Sequence, residues 1–156
     1  MPNACPHCGA PLRQGKDCQT IFDEFLVLEF TDPAFGEVHF LTVACFMVQH
    51  GRYSDQGLVW IEQKLRENLD QGISASQIRD EAAGAVGQDQ RDWKVTRRPG
   101  DAPLPPIAWS MTIQDVDAGY MDASGTPNAE RYRELIHQWG RVTVEEMQPW
   151  IKKDDR

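Results

Sequence analysis

The chain has 156 residues, with 16 Lys and Arg set against 24 Asp and Glu for a formal net charge of −8, which argues against nucleic-acid binding through the surface as a whole. The length suits one domain whose core needs no metal for its global stability. Four cysteines, three of them in one proposed site, make no disulfide framework. No stretch reaches the ~20 apolar residues that span a bilayer and no leader pattern opens the chain, so a soluble cytoplasmic protein without a membrane partner is expected.

The first element is Cys5-Pro6-His7-Cys8-Gly9. A Cys-x-x-Cys pair serves either dithiol exchange or metal binding. The redox version caps a helix that follows a buried strand, whereas here Met1-Pro2-Asn3-Ala4 precede it and Gly9-Ala10-Pro11 follow, a poor strand and a poor helix start. A tight knuckle in which Gly9 lets amides point at two thiolates fits better, and thiolate with imidazole donors favours Zn2+. Free thiols or a labile disulfide are the alternatives.

Residues 18–31 place Ile21, Phe22, Phe25, Leu28 and Phe30 at near-helical spacing, and residues 37–50 continue as a second apolar helix. Asp32-Pro33 between them reads as a stop and restart, with Asp32 an N-cap and Pro33 a first-turn residue. So short a link makes the pair antiparallel. A fold-back centred near residue 34 brings Cys18 to His50, sixteen positions away on either side. His39 and His50 share a face but lie about 16 Å apart along a straight helix, so both cannot bind one ion. The expected ligands are therefore Cys5, Cys8, Cys18 and His50, a closed structural site, with Gly51 as a C-terminal cap. Cys45, among Val43, Phe46 and Met47, reads as a buried hydrophobe, and Cys18 has the same bland alternative. His7 reads as a solvent-facing knuckle residue. His39 sits where Glu29, Asp32 or Glu37 could orient an imidazole as a general base; a buried histidine bonded to a carbonyl or to Thr42 is the equal alternative.

Further on, Ser54 caps a helix to about Asp70 with Leu58, Ile61, Leu65 and Leu69 on one face. Ser74-x-x-Gln77 opens a shorter helix through Ala85. The run Arg91 to Arg98, with Trp93 and Lys94, could meet nucleic acid by charge and stacking, but in so acidic a chain reads as a solvated turn; Trp93 to Thr96 is the one short candidate for extended structure. Four prolines between Pro99 and Pro106 forbid regular structure. Thr112 to Asp115 begins a short helix, and a last long helix starts at Pro127 and turns Tyr132, Leu135, Ile136 and Trp139 inward until Pro149 disrupts it. The reading is mainly α: a compact helical domain with an N-terminal zinc knuckle packed on an antiparallel helix pair. It divides into residues 1–52 for knuckle and hairpin, 53–98 for middle helices, 99–108 for a proline-rich strap and 109–156 for C-terminal helices.

The series Cys5-Pro6-His7-Cys8-Gly9, then Cys18, then His39-x-Leu41-Thr42-Val43-x-x-Phe46-x-x-Gln49-His50-Gly51 resembles the DUF5946 family, bacterial proteins of unknown function. The similarity continues through Trp109 to Val116 and the helix near Trp139, and departs at Ala44, where the family tends to an acidic residue. The resemblance supports the pairing of Cys and His positions and implies no activity. Two expectations follow from the residues. One is a zinc-stabilised helical interaction or structural module that binds a protein partner or itself through an apolar or tryptophan-bearing surface. The other is a small metal-dependent or His39-based hydrolase or transferase. Four protein ligands favour the first, three plus water the second.

Overall fold

The computed structural model describes residues 4–12, 16–72, 96–97, 100 and 103–151. The expected helix from Ser74 to Ala85, and the basic run apart from Thr96 and Arg97, lie outside these residues. Among the described residues the protein is mainly helical, with six α-helices, a 3-10 turn at Gln148–Trp150 and isolated β-bridges in place of strands.

Helix α1 spans Cys18–Thr31 and is capped by Asp17, whose side chain accepts from the Thr20 amide. Its buried residues are Cys18, Ile21, Phe25 and Glu29, one stripe at helical spacing. Phe30, expected inward, is instead 74% exposed, as is much of Val27. At 100° per residue it lies about 140° around the helix from Phe25, too far to share that stripe.

The expected second helix over 37–50 is present over His39–Gln49, and the link before it holds a further short helix. Helix α2 is the single turn Pro33–Gly36, with Asp32 as N-cap accepting from the Ala34 amide and Pro33 in its first turn. Helix α3 follows as His39–Gln49. The link is therefore a helical turn of its own, lying against α1, and Gly36 makes that approach possible: a Cβ there would sit 2.6 Å from the Glu29 carbonyl oxygen. Because the obstacle is backbone and cannot swing aside, Gly36→Ala should lower stability by about 1–3 kcal/mol. A urea midpoint unchanged from wild type would show that α2 does not need this contact.

Across the link, α1 and α3 are antiparallel, and their side-chain pairs fall symmetrically about residue 34. Glu29 meets His39, Phe22 stacks on Phe46 with ring centroids 4.0 Å apart, and Cys18 lies with His50.

Helix α4, Asp55–Gln71, is capped by Ser54 and ends at Gly72 in the left-handed conformation. Leu58, Ile61 and Leu65 are buried, while Leu69 is only partly so. Helix α5, Ile113–Gly119, opens with a capping box between Thr112 and Asp115. Helix α6, Ala129–Glu146, starts two residues later than expected because Asn128 is the cap; Pro127 is instead bridged to Met121. It buries Tyr132, Ile136 and Trp139 completely, and Leu135 packs at the Gly119 end of α5. Gln49, fully buried, joins three segments by donating to the Met111 carbonyl at 2.8 Å and to Thr143 Oγ1 at 3.0 Å. These contacts seat α3, the carrier of both histidines of interest, on α6.

Candidate metal centre

Residues 4–12 form a small turn closed by the Ala4–Pro11 bridge. The Cys5 amide donates to the Ala10 carbonyl at 2.8 Å and the Gly9 amide to the Cys5 carbonyl at 2.9 Å. Gly9 has φ +78°, a conformation costly for any residue with a Cβ. Two amides point at sulfur: His7 N lies 3.4 Å and Cys8 N 3.5 Å from Cys5 Sγ. Such N–H groups stabilise negative charge on a thiolate.

Cys18 is the first residue of α1 and His50 follows the last residue of α3. Cys5, Cys8, Cys18 and His50 are all buried, and their donor atoms lie within 4.8 Å of one another. The structure thus brings together the four residues expected from the sequence, and they could bind a metal ion. His39 is at the far end of α3 and outside this cluster. Cys45 is fully buried elsewhere in the core; burial pushes its thiol up to about 12, with Thr143 pulling weakly the other way. His7 is exposed, its ring centroid 6.1 Å from that of His50.

Two details test whether a cation fits. His50 Nδ1 lies 2.7 Å from the Phe46 carbonyl oxygen, which can only accept, so Nδ1 carries the proton and Nε2 presents a lone pair. Nε2 is buried and without a hydrogen-bond partner among the described residues. An orphaned acceptor beside three sulfurs is costly unless a cation satisfies it. The Cys8 and Cys18 sulfurs are 3.7 Å apart, well beyond a disulfide bond of about 2.05 Å and close to the ~3.8 Å between two sulfurs on one tetrahedral Zn2+. The hydrogen bond from the Cys8 thiol, with help from Gln114, holds Cys18 below the usual thiol range, while the bond to Cys18 and burial push Cys8 up.

Gln114 is the member of this site that sequence reasoning missed. Its Nε2 reaches Cys18 Sγ at 3.6 Å and the Lys16 carbonyl at 3.1 Å, tying α5 to the start of α1. Gln114 is 1% exposed, and no local pattern links it to a cysteine 96 positions away.

Residues 103–106 of the proline-rich segment form one wall of a cleft of about 290 Å³ beside the cluster, lined by Pro6, His7, His50, Arg97, Leu104 and Trp150 among others. Trp150 Nε1 fastens this wall by donating to the Pro105 carbonyl at 2.6 Å.

His39 has a different environment. Its Nδ1 is 2.7 Å from Glu29 Oε1, and the Glu29 side chain is completely buried whereas that of His39 is 31% exposed. Glu29 Oε2 accepts from Thr42 Oγ1 at 2.6 Å and from the Tyr132 hydroxyl. Of the three carboxylates expected near His39, Glu29 is the one that holds it. Thr42, expected as a partner of His39, serves Glu29 instead, and Tyr132 joins from α6.

Residues 3–148 match the family described as a family of unknown function, DUF5946. No curated protein and no solved structure matches. The chain belongs to the DUF5946 family.

Proposed function

We propose that this DUF5946 protein is a zinc-binding helical module in which Cys5, Cys8, Cys18 and His50 hold one Zn2+ as a closed structural site, and that it acts by presenting a surface to a protein partner or a second copy. The carrying observation is the buried, unpartnered His50 Nε2 beside three sulfurs. Soft thiolates with one imidazole in a tetrahedral arrangement favour zinc over the hard oxygen-seeking cations. Four protein donors fill its coordination sphere, so the ion's contribution is cross-linking: it ties the knuckle, the start of α1 and the end of α3 together. Water activation at the metal requires an open position that this donor set does not leave. The apolar surface available to a partner is aliphatic and phenylalanine-bearing. Val27 and Phe30 are the most exposed large hydrophobic residues described, whereas Trp139 and Trp150 are buried and Trp60 and Trp109 partly so.

Elemental analysis of protein purified without added metal tests the reading. About one zinc per chain is expected. A content near zero in protein whose cysteines all titrate freely would sink it.

A further inference from the structure

Glu29 is a fully buried carboxylate whose hydrogen bonds divide unequally between its two oxygens. Oε2 is satisfied from inside the core by Thr42 and by Tyr132; burial, and then the neighbouring carboxylate, raise the Tyr132 phenol so that it stays a donor. Oε1 faces His39 Nδ1. A carboxylate acceptor there places the proton on Nδ1 and leaves the lone pair on Nε2, at the other edge of a ring that is part exposed. If the cluster served only to join α1, α3 and α6, Thr42 and Tyr132 would suffice. An imidazole held in one tautomer by a carboxylate, on a side chain 31% exposed, is what proton abstraction requires.

Two neighbours define what could approach Nε2. The Phe30 ring, 74% exposed, lies with its centroid 5.1 Å from that of His39, and Val27, also exposed, is one turn earlier on α1. Together they offer an uncharged apolar platform. Helix α3 begins at His39 with no side-chain cap, which puts the imidazole at the end of the helix where the dipole favours negative charge.

We propose that His39 is a catalytic general base, with Glu29 as its positioning residue, for hydrolysis of uncharged aromatic or apolar esters, at a site separate from the metal centre. Nε2 takes a proton from water as the water oxygen bonds to the ester carbonyl carbon. The bond from that carbon to the leaving oxygen then breaks, its electron pair staying on oxygen, and the imidazolium returns the proton to the departing alcohol or phenol. Ester and water give acid and alcohol, with no other reactant.

The test uses the full chain and p-nitrophenyl acetate. Wild type should exceed free imidazole at equal concentration by about 100-fold, the lower end of what a positioned base contributes, and His39→Gln should return the rate to near the imidazole level. His137→Gln, a histidine on the exposed side of α6, should match wild type. Acylation by diethyl pyrocarbonate, followed by mass spectrometry on wild type, requires no variant. His39 should react faster than N-acetylhistidine, Glu29→Gln should slow it, and Glu29→Asp should restore part of the rate, which a purely structural carboxylate would not do. A wild-type esterase rate equal to free imidazole, a His39→Gln rate equal to wild type, or a His39 that resists acylation would each overturn the proposal. Zinc content is read separately, so its failure would not be confused with failure of the metal reading.

Discussion

His50→Ala should lose its metal during purification, while His39→Ala should retain about one zinc per chain. Removing a proposed ligand takes away one corner of the proposed tetrahedron, so the affinity loss should exceed the roughly 10–100-fold that accompanies loss of a supporting residue. His39, eleven residues earlier on α3, lies about 16 Å away along the axis and touches Glu29, not sulfur. Its truncation leaves Glu29 Oε1 without a protein partner, at a cost of about 1–3 kcal/mol, reduced because water can enter beside a ring that is 31% exposed. Competition with a chromophoric chelator gives the affinity and urea unfolding gives the stability. Equal metal loss in both variants would mean that the ion draws on the other end of α3.

Chelation at neutral pH should open the N-terminal turn and leave most of the helical circular dichroism in place. The ion's binding energy is coupled to folding only where the site itself is organised by it, and here α1 and α3 have other holds. Phe22 stacks on Phe46, Glu29 gathers His39, Thr42 and Tyr132, and Gln49 fixes the end of α3 to α6. Residues 4–12 are held to the rest chiefly through Cys5, Cys8, Ala10 and Leu12, two of them among the proposed ligands, so proteolysis should strike there first. Thiol reagents should then label Cys5, Cys8 and Cys18, while Cys45, enclosed in the core with its thiol pushed up to about 12, should react only on unfolding. Loss of most helical signal with the metal would show that the ion organises the whole fold.

Much of the cysteine–histidine cluster was legible because its information is local. The knuckle is a five-residue motif, the link is marked by Asp32 and Pro33, and counting outward from residue 34 places Cys18 with His50 without knowledge of any other helix. What escaped were contacts made across long separations. Nothing around Gln114 marks it as the neighbour of a cysteine sulfur, since its environment is created by the docking of α5 on α1. Tyr132 reads as an ordinary inward aromatic of α6, and only the packed structure gives its hydroxyl a carboxylate 103 residues away. Phe30 misled for a simpler reason: in an apolar-rich helix the spacing rule admits more residues than one face can bury, and Glu29 took the interior place because three donors awaited it. The short helix α2 inside the link was hidden in Gly36, whose value lies in the side chain it lacks opposite Glu29.

The turn between α1 and α3 also works as a gauge block. Because the contacts at both ends of the hairpin are centred on residue 34, an added residue between Thr31 and His39 that was passed on to α3 would put its pairing one residue out of register, about 100° of rotation and about 1.5 Å of rise. That single slip would part His50 from Cys18 and His39 from Glu29 together. The two sites therefore cannot drift independently through changes in this segment: its length is a shared tolerance, and variation in chain length has to be absorbed in other parts of the molecule.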